Sequence, residues 1–327
     1  RPLSGGRRPV TPPLDTLAGH VVACPDGSVD SYTHLYDGSE RLTSRDELAS
    51  RLRSGERSFS VEPQRTVPGG QAVNVARQSH ALGGDVTLFG HCGAETLSFP
   101  FSVESLGAPS RVTVRAFDGE DLMIADDPDA FDSCDAARLR QVGLYAAPAD
   151  AVFVGNAVSV VHIPDILREF AAGETPVVFD PGPITGIAAS RAETLCSALG
   201  DLADRRPVVV SPNAAETTAF AEALGLDAGG DVAPRLRDRL GIDAFVVHDH
   251  PTTRIITDEV RRLDTPNVER TSRTGGGDAF VGGLATGLAS DWSVVDAARL
   301  GTWCAAHRVS GGQFGGCEAV ASLRERV

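Results

Sequence analysis

Lysine is absent from this sequence of 327 residues, because all 30 residues counted as lysine or arginine are arginine. The absence excludes several kinds of active site. P-loop proteins and protein kinases place a lysine beside the nucleotide phosphates, and Schiff-base enzymes need an amine. A site that handles phosphate in this chain must therefore use backbone N–H groups, arginine or a metal ion.

Other features are also missing. No apolar run is long enough to span a membrane and no secretory signal pattern occurs, which predicts a cytoplasmic protein without a membrane partner. The six cysteines show no CxxC spacing, so we expect reduced thiols and no zinc site. A formal net charge of −14 argues against nucleic acid as a partner. No G-x-G-x-x-G follows the first predicted strand, which excludes a Rossmann dehydrogenase.

Apolar strands alternate with helical patterns over most of the chain. HVVAC at 20–24 is the first predicted central strand, and from residue 150 the strands AVFVG, PVVFDPG, RPVVVSPN and AFVVHD are each followed by a helical pattern. This alternation predicts an α/β fold whose mainly parallel sheet is covered on both faces. Polar segments at about 31–66 and 108–128 interrupt the rhythm, and 111–127 reads as a hairpin. We expect one domain over 1–327 with a small β lid formed by those insertions.

The segment RTGGGDAFVGGLATGL contains three successive glycines, Gly275, Gly276 and Gly277, followed by Asp278 and a small-residue helix. Glycines can direct successive N–H groups into one concavity, and the start of a helix adds the positive end of its dipole. The segment therefore predicts an anion hole. A carboxylate at its edge could take a proton from a hydroxyl during phosphoryl transfer. A glycine-rich helix entry with an acid in its first turn is the simpler alternative.

Three further places carry polar residues where ligands of an open parallel sheet bind, past the carboxyl ends of strands. In PDGSVD both Asp26 and Asp30 follow the first strand, and we interpret Asp26 as a turn residue. Gly70 opens a helix whose first turn carries Gln71 and Asn74, and such amides can bind sugar hydroxyls.

The strand RPVVVSPN is followed by Asn213 and Glu216, three residues apart at the start of a helix. They could hold a metal-bound water near phosphates or simply form a capping box, and the local sequence does not separate the two. The run His248, Asp249 and His250 is interpreted as a polar loop, since no third His or Cys suggests a metal site.

Four motifs in this order resemble those of the PfkB carbohydrate kinase family, which has the ribokinase-like fold. TGGGD at 274–278 resembles the DTxGAGD signature, with Arg273 in place of the usual Asp. GGQAVN at 69–74 resembles the GGxxxN signature, and PNAAE at 212–216 resembles the NxxE motif. Asp30 lies where the family has a substrate-binding acid. The missing lysine and the acidic charge favour a halophilic archaeal member.

The resemblance implies an ATP-dependent kinase of a sugar, sugar phosphate or nucleoside, with a three-layer α/β/α fold. Asp278 would be the base, and the 275–278 backbone would hold the transferring phosphoryl group. The substrate-binding residues would be Asp30, Gly70, Gln71 and Asn74. The residues near the nucleotide phosphates and Mg²⁺ would be Asn213, Glu216, Thr274 and His248. Magnesium would bind through water near Glu216 rather than directly, a monovalent cation is also compatible, and lids of family members often form homodimers.

One departure from the family pattern leaves the nucleotide donor open, and three arginines leave the acceptor open. The family's TxGxxG loop reads AFVVHDHPTTR here, without its glycines, so that His248, Thr252 or Arg254 would replace its contacts. This loss supports an alternative hypothesis, a catalytically silent sugar- or nucleotide-binding member that acts as a sensor or scaffold. An inward-facing arginine among Arg77, Arg111 and Arg115 would favour a phosphorylated acceptor.

Overall fold

The computed structural model describes residues 11–324 except 95–96, 119–120, 128, 228, 272–273 and 312. The strands are β1 His20–Cys24, β2 Ser28–Asp37, β3 Glu40–Arg41, β4 Ser60–Gly69, β5 Asp85–Gly90, β6 Ser102–Ser105, β7 Ser110–Ala116, β8 Asp121–Ala125, β9 Ala151–Gly155, β10 Val177–Asp180, β11 Val208–Val210, β12 Ala244–Val247, β13 Thr252–Ile256 and β14 Val260–Asp264. The helices are α1 Arg45–Arg53, α2 Gln71–Ala81, α3 Ala136–Gln141, α4 Ile163–Glu169, α5 Ala189–Ala203, α6 Ala214–Ala223, α7 Val232–Leu240, α8 Gly276–Ala289, α9 Val294–Val309 and α10 Cys317–Ala321.

The large sheet has nine strands in the order β14-β13-β12-β11-β10-β9-β1-β5-β6. It is parallel from β12 to β6, and β13 and β14 join antiparallel, with β14 at the edge. Strands β9 to β12 are buried along their whole length, as near-continuous apolar runs require when helices cover both faces.

Two hydrophobic clusters lie on opposite faces of this sheet. One joins it to α4, α5, α6 and α7, through side chains such as Leu167, Leu199 and Phe220. The other joins it to α2, α8 and α9, through small residues such as Ala72 and Ala298. The predicted three-layer α/β/α arrangement is confirmed.

A second sheet of five strands has the order β3-β2-β7-β8, with β4 paired to β2. The predicted hairpin is confirmed, since β7 and β8 pair antiparallel. This sheet begins at Ser28, earlier in the chain than the predicted start of the lid insertion. Strand β2 shows partial alternation of buried and half-buried residues, which is typical of a sheet with one covered face.

Some local expectations were incomplete. The antiparallel strands β13 and β14, the short strand β6 and the terminal helix α10 were not anticipated. These strands are short or carry exposed polar residues, so they lack the apolar runs that identify central strands. At the start of α1, Ser44 Oγ accepts from the Glu47 N–H at 3.1 Å, and the Glu47 carboxylate accepts from the Thr43 backbone N–H at 2.7 Å.

Candidate active site

Helix α8 begins immediately after Gly275, which has a positive φ of 78° that suits glycine. The Ala279 N–H donates to the Gly275 carbonyl at 3.0 Å, an i to i−4 bond of the helical type. The N–H groups of Gly276, Gly277 and Asp278 precede this bond, so the helix offers them no acceptor. The predicted run of glycines therefore places three N–H donors, for which no acceptor is found among the described residues, and the positive end of a helix at one point.

Two cavities meet at this turn. One, of about 600 Å³, is lined by Gly275 and Asp278 together with residues of the five-stranded sheet, and we name it the acceptor cavity. The other, of about 500 Å³, is lined by Gly276 and Gly277, and we name it the nucleotide cavity. The N-terminus of α8 thus separates two ligand-sized spaces and contributes to the wall of each.

Asp278 is partly exposed to the acceptor cavity and accepts a hydrogen bond of 2.8 Å from Asn74 Nδ2. Loss of solvation raises the pKa of Asp278 to about 7, while the Asn74 bond and the Arg308 charge act in the opposite direction. A carboxylate with a pKa near neutrality is suited to accept a proton. Asn74, which the sequence predicted as a sugar ligand, therefore also orients this carboxylate.

Two further acids lie near Asp278. Asp180, at the end of β10, is 3% exposed, and burial raises its pKa, with the Glu216 charge as a second cause. Burial also raises the pKa of Glu216, and the Asp278 charge adds to the effect. Among the described residues neither Asp180 nor Glu216 has a salt-bridge partner. This acidic group would gain from a cation, because ionised carboxylates are costly to bury without one.

Asp26 has a different role from the predicted turn residue. Its side chain is 1% exposed and accepts from the backbone N–H groups of Gln71 at 3.0 Å and Ala72 at 2.7 Å. Asn156 Nδ2 completes the set at 2.8 Å. Asp26 therefore anchors the start of α2 from a neighbouring strand end, and it lines the acceptor cavity. The turn signal PDG concealed this long-range contact.

The predicted substrate-binding residues Asp30, Gly70, Gln71 and Asn74 all line the acceptor cavity. Asp30 is 6% exposed and accepts from Ser28 Oγ at 2.6 Å. Gly70 precedes α2 with a φ of 97°, and a Cβ there would lie 2.9 Å from the Gly27 Cα. This position therefore requires glycine for its conformation and for the close approach of two loops.

On the nucleotide side, Asn213 and Glu216 form a full capping box at the start of α6. The Glu216 carboxylate accepts from the Asn213 N–H at 2.9 Å, and Asn213 Oδ1 accepts from the Glu216 N–H at 2.9 Å. The sequence left capping and magnesium binding open; capping is present in the structure, and Asn213 also lines the nucleotide cavity.

His248 and His250 line the nucleotide cavity, in the loop that replaces the family's glycine loop. The His248 ring stacks on Phe280 at 5.0 Å between centroids, and its Nδ1 lies 3.1 Å from Ser211 Oγ. Burial lowers the pKa of His248 to about 4, so the ring is neutral at pH 7. A neutral ring contacting the glycine turn can offer a hydrogen bond to phosphate without adding charge.

Thr274 lies on the acceptor side rather than in the nucleotide cavity. Its hydroxyl donates to Asp121 of strand β8, and both residues line the acceptor cavity. Arg273, which replaces an Asp of the family signature, lies outside the described residues. The contact joins the second sheet to the loop that precedes the glycine turn.

Several site residues were missed by the sequence reading, and they are Asp26, Asp121, Asn156, Asp180 and Arg308. Asp180 carried a usable signal, since an acid directly follows a buried strand in PVVFDPG. Asn156 has the same position after β9 and a positive φ of 63°, an uncommon conformation outside glycine. Arg308, within α9, gave no signal because its position depends on helix packing.

Among the described residues, no group of three or more His, Cys, Asp or Glu side chains is arranged to hold a metal ion. Within the same part of the chain, none of the helices combines the length and the apolar character needed to cross a membrane.

Comparison with known proteins identifies the family and the fold of the chain. The sequence model of the prokaryotic ketohexokinase family matches residues 17–326, whereas no curated protein matches significantly by sequence. Fructokinase with bound ATP from Xylella fastidiosa has 18% identity and a TM-score of 0.68, over 94% of this chain and 98% of that one. Ribokinase from Thermotoga maritima has 18% identity and a TM-score of 0.65, over 94% of this chain and 99% of that one. Burkholderia thailandensis nucleoside kinase in complex with inosine has 18% identity and a TM-score of 0.65, over 94% of this chain and 97% of that one.

At these identities the solved structures establish the fold, which is ribokinase-like. The family match covers nearly the whole chain, including both cavities and the glycine turn between them. The chain belongs to the prokaryotic ketohexokinase family, within the PfkB carbohydrate kinases.

Proposed function

We propose that this protein transfers the γ-phosphoryl group of ATP to a hydroxyl of a free ketohexose of the fructose class. The observation that carries the proposal is the meeting of two cavities at Gly275–Asp278, with a carboxylate on one side and the first N–H groups of α8 between them. Such an arrangement lets an acceptor and a donor approach one anion hole from opposite sides.

In this reaction the acceptor oxygen attacks the γ-phosphorus, and its proton passes to the Asp278 carboxylate. The bond between the γ-phosphorus and the bridging oxygen breaks, and ADP leaves with that oxygen. The N–H groups of Gly276, Gly277 and Asp278 bind the oxygens on which charge develops. Asn74 keeps the carboxylate oriented through its bond of 2.8 Å.

Magnesium fits the acidic group of Asp180 and Glu216, whose raised pKa values show the cost of burying them without a cation. Glu216 would hold it through water, since its carboxylate already accepts from Asn213. Bound Mg²⁺ would neutralise phosphate charge during transfer.

The composition of the acceptor cavity supports a neutral polyol over the other acceptors. The acids Asp26, Asp30 and Asp121 line it, and carboxylates suit hydroxyl donors and repel a phosphate. Of the arginines that the sequence singled out as possible phosphate ligands, Arg77 does line the cavity, and its guanidinium group packs on the Phe314 ring at 4.8 Å. The amide oxygen of Gln71 is buried and has no hydrogen-bond partner among the described residues, and a sugar hydroxyl would supply one. Arg65 already covers the Tyr32 ring at 4.2 Å, which disfavours stacking of a nucleobase there.

We also propose that the five-stranded sheet acts as a lid over the acceptor cavity, with insertions at about 31–66 and 108–128. Val61, Met123 and Ile124 are exposed on it at 45%, 53% and 42%, which supports the predicted lid-mediated homodimer. Light scattering with the Met123→Arg variant would test the dimer.

The function is tested by incubating the protein with MgATP and one acceptor at a time: fructose, ribose, fructose 1-phosphate, ribose 1-phosphate and nucleosides. We expect ADP and a sugar monophosphate with fructose, and much lower rates with phosphorylated sugars and nucleosides. Isothermal titration calorimetry with the same ligands measures their binding separately from turnover. Binding of ATP and fructose without ADP formation at any salt concentration would favour the silent sensor or scaffold, the alternative that the lost TxGxxG loop supports.

A further inference from the structure

The acceptor cavity contains an arginine on α9 that contacts the glycine turn. A Cβ on Gly275 would lie 3.0 Å from Arg308 Nε and 3.3 Å from its Nη2. The guanidinium group therefore lies against the start of α8, in space that any side chain at position 275 would occupy. The absence of that side chain gives the cation access to the turn.

The aromatic ring of Phe314 holds this guanidinium group in place. The Arg308 Cζ lies 5.0 Å from the ring centroid, and the Arg77 Cζ from α2 lies 4.8 Å from the same centroid. Cations placed over an aromatic ring are attracted by its electron density and lose mobility. Two arginines from different helices are thus packed on one ring beside the cavity.

The two arginines differ in what else they contact. Arg77 donates to the Pro68 carbonyl at 3.4 Å, next to the start of α2. Arg308 approaches Gly275, and its positive charge favours the ionised form of Asp278, lowering the pKa of that carboxylate. The same ring therefore carries one arginine near the proposed reaction centre and one that supports α2.

We propose that Arg308 binds the transferring phosphoryl group and stabilises the charge that develops on its oxygens; this rests on the proposed kinase function. As the acceptor oxygen bonds to the γ-phosphorus and the bond to the ADP oxygen breaks, negative charge builds on the phosphoryl oxygens and the leaving oxygen. The N–H groups of the turn carry no net charge, and lysine is absent from the chain. A guanidinium group contacting the turn supplies the missing cation, with forked donors that match phosphate.

The test compares Arg308→Met with Arg77→Met, because both remove one guanidinium group from the same ring and keep an unbranched apolar side chain. We expect Arg308→Met to lower kcat by ~10² with KM for fructose and ATP changed less than about threefold, the size seen for loss of one charge-stabilising donor. The acid limb of its kcat/KM profile should move upward by about 0.5–1 in pH, because the carboxylate loses a nearby cation. Arg77→Met should leave that limb in place.

Chemical rescue separates the proposed role from a structural one. Guanidinium ion at millimolar concentration should restore part of the kcat of Arg308→Ala and none of that of Arg77→Ala. The Phe314→Leu variant removes the ring on which Arg308 packs but keeps the guanidinium group. It therefore tests whether the only role of Arg308 is to anchor the C-terminal segment.

If the wild type is active and the kcat of Arg308→Met lies within threefold of the wild-type value, this inference is overturned and the kinase proposal stands. Equal losses in Phe314→Leu and Arg308→Met, with no rescue, would also overturn it. If Arg308→Met does not fold, as judged by its Tm, Arg308→Lys keeps the charge without the fork and should retain an intermediate kcat. A wild-type protein that forms no ADP would instead reject the kinase proposal itself.

Discussion

The acceptor cavity and the nucleotide cavity are built in different ways, although they share one turn. The acceptor cavity takes its polar side chains from both sheets, and its key contacts join distant parts of the chain, such as Asn74 with Asp278 and Asp26 with Asn156. The nucleotide cavity is lined by α8, α9, β13 and the loops after β11, β12 and β14, and its charged lining residues are Asp249 and Arg270, which lie in loops. We infer that charged side chains select the acceptor, whereas backbone groups, neutral rings and shape bind the donor.

This difference predicts that substitutions in the two cavities affect separate kinetic constants. The shared turn is the exception, because a change there should affect the chemical step for both ligands. The following predictions run from the largest expected effect to the smallest.

Replacing Asp278 with Asn should lower kcat by ~10³, because the acceptor hydroxyl loses its base. The amide is nearly isosteric, so KM for fructose and the Kd for ATP should change little. Steady-state kinetics and calorimetry measure these quantities, and Asp126→Asn, a change of an exposed lid carboxylate bonded to Thr113, is the control. A variant with near-normal turnover would remove Asp278 from the mechanism.

Replacing Asp30 with Asn should raise KM for fructose by about 10–100-fold, as expected for loss of a charged hydrogen-bond acceptor in a buried site. The Ser28 hydroxyl can still donate to the new amide oxygen, so the strand should be preserved. KM for ATP should not move, and this contrast tests the separation of the cavities. A parallel rise in both constants would show that the cavities are coupled.

Replacing His248 with Gln should raise KM for ATP by about 3–10-fold, the cost of one uncharged hydrogen bond and a stacked ring. KM for fructose should remain unchanged. Because burial lowers the pKa of His248 to about 4, its contribution should be constant between pH 6 and pH 9. A strong dependence of ATP binding on pH in this range, absent from the variant, would show that the ring is charged when ATP binds.

Replacing Asp180 with Asn should change stability in a pH-dependent manner. The pKa of Asp180 is raised by burial, so the folded state binds a proton that the unfolded state releases at lower pH. The wild-type free energy of unfolding therefore falls as the pH rises from about 4 through the raised pKa. The variant should lose the part of this dependence that Asp180 contributes, while Glu216 and Asp278, whose pKa values are raised to about 7, keep the rest. Compared with the wild type, its free energy of unfolding should be higher by about 1–2 kcal/mol at pH 8 relative to pH 5.

Urea unfolding without magnesium or nucleotide measures this effect at both pH values. Wild-type stability should recover at pH 8 when Mg²⁺ and ATP are added, because a bound cation relieves the acidic group. Identical pH dependence in the wild type and the variant would show that Asp180 is not the residue responsible.

The sequence predicted the central features of the fold because they depend on local patterns. Apolar strands at regular spacing identified β1 and β9 to β12, and small residues after three glycines identified α8. The edge strand β14 lacked such a pattern, since its solvent-facing residues include Arg261 and Arg262. Motif order likewise located Asp278, Asn74 and His248, whose positions around the turn are as expected, while their roles remain predictions.

Sequence alone determined the glycine turn, the acid that follows it and the exclusion of lysine-based phosphate chemistry. These depend on residue identity over a few adjacent positions. Only the tertiary structure decided that Asp26 anchors α2, that Thr274 contacts β8 of the five-stranded sheet, and that Arg308 lies against Gly275. Each of these contacts joins segments far apart in the chain, and their geometry is set by how helices and sheets pack rather than by any local preference.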